Sequence, residues 1–132
     1  MRKPKVMIVE DDDLVRESLT LLLQNYFEVH SFSTPEKAIS AFQGDEEYDL
    51  LITDFDLKAE AMDGFSIASE FRENFPSTPM LMLSGSLSTL PRIRAFLEMP
   101  CTQFFEKPFD THQLLEIATA LTISKSSTTH RF

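Results

Sequence analysis

Tyr48-Asp49-Leu50-Leu51-Ile52-Thr53-Asp54 is the stretch on which the reading of this chain turns. Leu50, Leu51 and Ile52 run through Thr53 straight into an acid, and Phe55-Asp56-Leu57-Lys58 then leads the chain toward Asp63-Gly64. A short apolar run bounded by polar residues reads as a strand buried on both faces. In open α/β sheets ligands bind outside the carboxyl ends of the strands. Asp54 stands at such an end and is the candidate reactive residue.

Outward from this strand the same pattern recurs. Val6-Met7-Ile8-Val9 is a wholly apolar strand that ends in Glu10-Asp11-Asp12-Asp13. Behind it Leu14, Val15, Leu19, Leu22 and Leu23 fall at near-helical spacing and predict one buried face, with the acids complementing the helix dipole. Phe27 to Phe32 alternates as a half-buried strand. Thr34-Pro35 reads as an N-cap followed by proline at the first helical position, and that helix carries Ala38, Ile39 and Phe42 inward before Gly44. Beyond the central strand, Asp63-Gly64 opens a helix with Phe65, Ile67, Ala68 and Phe71 apolar, and Pro76 and Pro79 punctuate its end. Pro79 to Gly85 predicts another buried strand with Ser84 at its close. Thr89 to Glu98 reads as a weaker helix, Thr102 to Glu106 as a last strand stopped by Lys107-Pro108. Asp110-Thr111-His112-Gln113 has capping-box spacing ahead of Leu114, Leu115, Ile117, Ala118 and Leu121. From Ser124 the chain is polar and predicts a frayed tail. Residues 1–123 are therefore expected to form one domain, with 124–132 a polar tail or the start of a linker.

Five strands alternating with five helices imply parallel pairing and right-handed crossovers. The expected fold is an α/β three-layer sandwich around a parallel five-stranded sheet. Every strand then ends on one edge, which gathers Glu10, Asp11, Asp54, Ser84 and Lys107 from distant parts of the sequence. The chain has 132 residues, 42% hydrophobic and 25% charged, which suits one soluble globular domain. Its 21 acids against 12 bases give a net charge of -9, which argues against direct nucleic-acid binding. One cysteine excludes an internal disulfide and suits a reducing compartment. No apolar run approaches the roughly 20 residues that span a bilayer, so a cytoplasmic, membrane-free domain is expected.

Several carboxylates on one edge repel one another. At about 5 Å and an effective dielectric of about 20, each like-charged pair costs roughly 3 kcal/mol. Either protons stay on or a cation binds, and an oxygen-only donor set favours Mg²⁺, or Mn²⁺ in its place. Beside such an ion Asp54 can act as a nucleophile toward a phosphoryl group, and Lys107 and the Ser84 hydroxyl can hold the phosphoryl oxygens.

On these residues the chain resembles, over about residues 4 to 123, the receiver domain of two-component response regulators. The pieces that carry the resemblance are Val9-Glu10-Asp11, Leu51-Ile52-Thr53-Asp54, Asp63-Gly64, Leu83-Ser84-Gly85 and Phe105-Glu106-Lys107-Pro108-Phe109. Each is common alone; all five in this order, each at a strand end or helix start, are specific. The resemblance implies a flavodoxin-like fold with strand order 2-1-3-4-5. It also implies a phosphoacceptor role for Asp54, with a histidine kinase or phosphotransfer protein as donor and a downstream protein or effector domain as target. Asp11 would ligate Mg²⁺ directly, Glu10 largely through water, Asp54 by its side chain and Asp56 by its backbone carbonyl. Ser84 and Phe104 would be the switch residues, Lys107 would pair with the phosphoryl oxygens, and the Lys107-Pro108 bond would be cis. Such a domain is not an enzyme beyond slow self-dephosphorylation. It would signal through a face around the fourth helix, fifth strand and fifth helix, through which members of the family often form homodimers.

Two departures stand out. Gly64 lies ten residues after Asp54 where the family has eight, and Phe55 to Met62 contains no proline. Asp56 adds an acid near the phosphoryl position, with Lys58 as a partial offset. Other readings stay open at this stage. Asp54-Phe55-Asp56 also resembles the Asp-x-Asp nucleophile motif of haloacid-dehalogenase-type phosphatases, although the extra acids here precede the nucleophile and the chain lacks room for a cap. A receiver-like module that works without phosphorylation is the other alternative. Asp12 and Asp13 read as helix caps, Cys101 as a partly buried thiol, and the three histidines share no metal spacing.

Overall fold

In the computed structural model, residues 2–57, 62–85 and 90–130 are described. Ten elements alternate: β1 (Lys5–Val9), α1 (Asp13–Leu23), β2 (Glu28–Phe32), α2 (Pro35–Phe42), β3 (Leu50–Asp54), α3 (Gly64–Asn74), β4 (Met80–Ser84), α4 (Leu90–Glu98), β5 (Thr102–Glu106) and α5 (Thr111–His130). All four strand pairings are parallel and the order is β2-β1-β3-β4-β5. This is the flavodoxin-like arrangement expected from the sequence. Within it, β3 lies at the centre of the sheet with all five residues buried.

Side-chain alternation along the strands divides the core into two layers. Met7, Val9, Leu51, Met80 and Met82 face α2, α3 and α4, meeting Ala38, Phe42, Ile67, Phe71, Ile93 and Phe96. Val6, Ile8, Leu50, Ile52, Leu81 and Leu83 face α1 and α5, meeting Leu19, Leu23, Leu114 and Ala118. At roughly 1.5–3 kcal/mol for each fully buried aliphatic side chain, these layers dominate stability. They also hold the strand ends in fixed register, Asp54 beside Leu83 and Ser84 beside Glu106.

The helix starts follow their capping chemistry. Asp12 accepts hydrogen bonds from the amides of Leu14 and Val15, Thr34 from that of Lys37, Asp63 from that of Ser66 and Asp110 from that of Gln113. Three local expectations need correcting. Leu14 is 74% exposed rather than buried, because the cap at Asp12 places it in the first turn, beyond the reach of the sheet; Leu19 and Leu23 are the fully buried residues of α1. Cys101 is exposed, in a turn before β5 where its φ is 58°. The tail expected to fray from Ser124 instead continues α5 to His130. A helix anchored by packing at Leu114 and Ala118 extends at one hydrogen bond per added residue.

Candidate functional site

The C-terminal edge of the sheet brings the expected residues together. Glu10, Asp11 and Asp54 each offer a carboxylate oxygen within 4.8 Å of the others. Glu10 directly follows β1, and its amide donates to the Phe32 carbonyl, so the pairing of β1 with β2 carries one residue into the site. The Arg16 guanidinium holds the Glu10 carbonyl at 2.9 Å. Asp54 closes β3, and the next amide, Phe55, donates to Leu83 at 2.7 Å. Lys107 follows β5, with its amide on the Ser84 carbonyl at 2.8 Å. The backbone ladder, extended by one bond past each strand, therefore aims these side chains at one point.

Lys107 Nζ lies 3.0 Å from Asp54 Oδ1 and 3.2 Å from Glu10 Oε1. The first approach is Coulombic, since Asp54 Oδ1 is buried and makes no well-directed hydrogen bond. Burial pushes the Glu10 carboxyl above its usual range and the Asp54 charge adds to this; the Asp12 amide and Lys107 oppose without cancelling it. Burial likewise raises Asp54 against the pull of Lys107. For Lys107, burial disfavours the charge, but Asp54 and Glu10 prevail and its value rises. The cleft is short of positive charge. Three carboxylates, one of them the under-paired and buried Asp54, fit a hard divalent cation, Mg²⁺ or Mn²⁺.

The remaining candidates are placed as follows. Ser84 is fully buried and donates its hydroxyl to Asp56 Oδ2 at 3.2 Å, a pairing the sequence did not announce. Asp56 itself is exposed. Phe104, half-buried, packs on the core layer beneath α3 and α4. The Lys107-Pro108 peptide is cis. Lys58, and with it the middle of the long segment after Asp54, lies outside the described residues.

Two further residues frame the site. Gly64 donates its amide to the Phe55 carbonyl at 3.0 Å. A Cβ there would collide with the Asp54 carbonyl oxygen and stand 2.7 Å from Phe55 Cα, so only glycine permits this approach. Its neighbour Asp63 receives Arg92 of α4, Nε on Oδ2 at 2.5 Å and Nη2 on Oδ1 at 2.9 Å. Arg92 belongs to none of the motifs, and an arginine in a short helix carries no signal in sequence.

Comparisons with known proteins show what this chain and its fold are similar to. The model of the response regulator receiver domain family matches residues 6–119. The transcriptional regulatory protein FlgR of Helicobacter pylori is 34% identical over 114 residues, covering 85% of this chain and 28% of that protein. The cell cycle response regulator CtrA of Brucella ovis is 28% identical over 112 residues, covering 84% of this chain and 47% of that protein. The chain thus spans less than half the length of these relatives. Among solved structures, the signal receiver domain of an HD domain-containing protein from Pseudomonas fluorescens superposes with a TM-score of 0.85 at 22% identity, covering 100% of this chain and 96% of that one. NtrX from Brucella abortus superposes with a TM-score of 0.82 at 21% identity, covering 96% of this chain and 28% of that one. The order of the strands, the acids at their ends and the matched family model together place the chain in the response regulator receiver domain family of two-component signalling.

Proposed function

We propose that Asp54 is the phosphoacceptor of this receiver domain, taking a phosphoryl group from a phosphohistidine on a histidine kinase or phosphotransfer protein in a Mg²⁺-dependent reaction. The observation that carries the reading is the under-paired, buried Asp54 Oδ1 among Glu10, Asp11 and Lys107. The Asp54 carboxylate forms the new O–P bond as the P–N bond of the donor breaks, and the electron pair leaves on the imidazole nitrogen, which takes up a proton. Asp11, Asp54 and the Asp56 carbonyl would hold Mg²⁺ (or Mn²⁺), with Glu10 acting largely through water. The bound ion would neutralise charge on the phosphoryl oxygens.

Lys107 opposes the rise that burial imposes on the Asp54 carboxyl and then pairs with a phosphoryl oxygen. The Ser84 hydroxyl leaves Asp56 to donate to another, and Phe104 follows it, altering the face around α4, β5 and α5 that a downstream protein or effector domain reads. The domain acts in the cytoplasm as a signalling phosphoacceptor, with at most slow self-dephosphorylation, and this face is also the one on which two copies would pair. Residues 1–123 suffice for this chemistry. No step requires the second acid to serve as a general acid, and the receiver family match favours the phosphoacceptor reading over the phosphatase one.

The test is phosphoryl transfer from a small acyl phosphate with and without Mg²⁺. Transfer should need the ion, fall by at least about 10-fold in Lys107→Ala through loss of transition-state charge stabilisation, and stop in Asp54→Asn. Labelling that persists in Asp54→Asn would place the acceptor elsewhere. Absence of labelling in the parent would favour a module that works without phosphorylation.

A further inference from the structure

We infer that Arg92, outside the acid cleft and in a different helix, is a positioning residue for the phosphoacceptor loop. It acts by clamping the first turn of α3 so that Gly64 stays seated on the backbone of Asp54 and Phe55. This rests on the reading of Asp54 given above. The clamp has four contacts, all from one guanidinium. Nε and Nη2 take the two carboxylate oxygens of Asp63, Nη2 also reaches Ser66 Oγ at 3.4 Å, and the guanidinium carbon lies 4.8 Å from the centroid of the Phe65 ring. A planar fork engaging both oxygens of one carboxylate fixes direction as well as distance, which a lysine cannot do.

The residues it grips, Asp63, Phe65 and Ser66, bracket Gly64. That glycine is pressed against the Asp54 carbonyl too closely to admit a Cβ, and its amide bonds the Phe55 carbonyl. Movement of the α3 first turn is therefore transmitted to the end of β3 without an intervening side chain. The segment between Asp54 and Gly64 contains no proline. At the far end of that segment the Arg92 clamp holds Asp63, while at the near end Asp56 is tied to Ser84. The two ties join the two ends of the segment after β3 to Ser84 at the end of β4 and to Arg92 in α4.

The inference is tested on the whole chain with Arg92→Ala and Arg92→Lys, without any phosphodonor. Amide hydrogen exchange by NMR should show Gly64 exchanging about 5-fold to 10-fold faster in Arg92→Ala, while Leu51 and Ile52 in β3 keep their protection. Calorimetric titration with Mg²⁺ should show affinity weakened about 3-fold to 10-fold, with Arg92→Lys recovering only part of the loss. Unchanged exchange at Gly64 would overturn the clamp. Faster exchange at Gly64 with Mg²⁺ affinity unchanged would leave Arg92 a purely structural brace and overturn its positioning role. If the parent binds no Mg²⁺, the phosphoacceptor reading fails instead, and the exchange result still reports on the clamp.

Discussion

At Ser84 one hydroxyl has two prospective acceptors, and the structure gives it to Asp56. A hydrogen bond of this kind contributes about 1 kcal/mol net, enough to alter the lifetime of a phosphoryl group on Asp54 by roughly 5-fold. Asp56→Ala frees Ser84 for the phosphoryl oxygens and removes a like charge from beside them. The half-life of the phosphorylated protein, followed by loss of label after the donor is removed, should lengthen by about that factor; an equal half-life would contradict the competition. Most of the candidate site's placement was legible at this scale, because Glu10, Asp11, Asp54, Ser84 and Lys107 each lie at or just past a strand end, and strands are readable from hydrophobic pattern. The partners Asp56 takes from Ser84 and Arg92 takes from Asp63 were not legible. They join loop and helix ends across 28 and 29 residues of sequence, where no periodicity sets the pairing.

Elements were legible where capping and core periodicity agreed. Thr34-Pro35, Asp63-Gly64 and Asp110 each open the helix they announced. The misreadings fall where a pattern continues beyond its physical cause: Leu14 matches the spacing of α1 but lies past the sheet, and the polar residues after Ser124 remain in α5. Two substitutions test the element ends. Asp12→Ala removes the acceptor for two amides of α1 and should cost about 1 kcal/mol in urea unfolding, with the m-value unchanged. Gly64→Ala forces α3 off the end of β3 and should cost about 1–3 kcal/mol. It should also weaken Mg²⁺ binding more than Asp12→Ala does. If the two lower Mg²⁺ affinity equally, Gly64 has no special part in holding the site.

For the whole molecule, the sheet edge concentrates acids at some cost to stability. Glu10 and Asp54 both have carboxyl values raised in the folded protein, chiefly by burial. The folded state therefore holds protons that the unfolded chain has released, across the window from the ordinary carboxylate range up to the raised values. This contribution is fully present below the unfolded values and is lost as pH rises through the folded ones. Asp54→Asn removes one of the competing charges and should stabilise the Mg²⁺-free protein at pH 7 by about 1 kcal/mol, a few degrees in Tm, with a smaller decline between mildly acidic and neutral pH. Mg²⁺ at about 100 times its Kd should stabilise the parent by about 2.7 kcal/mol, and Asp54→Asn by less. A parent whose stability is indifferent to Mg²⁺ would contradict the assignment of the acid cluster.

The central claim is that Asp54 carries the phosphoryl group, and intact mass tests it most directly. Parent and Asp54→Ala are incubated with Mg²⁺ and a small-molecule phosphodonor alongside a receiver domain known to be labelled. The account predicts a gain of one phosphoryl group on the parent that disappears when either Mg²⁺ or Asp54 is removed. A parent whose mass stays unchanged while the control is labelled, or a gain that survives Asp54→Ala, would contradict it.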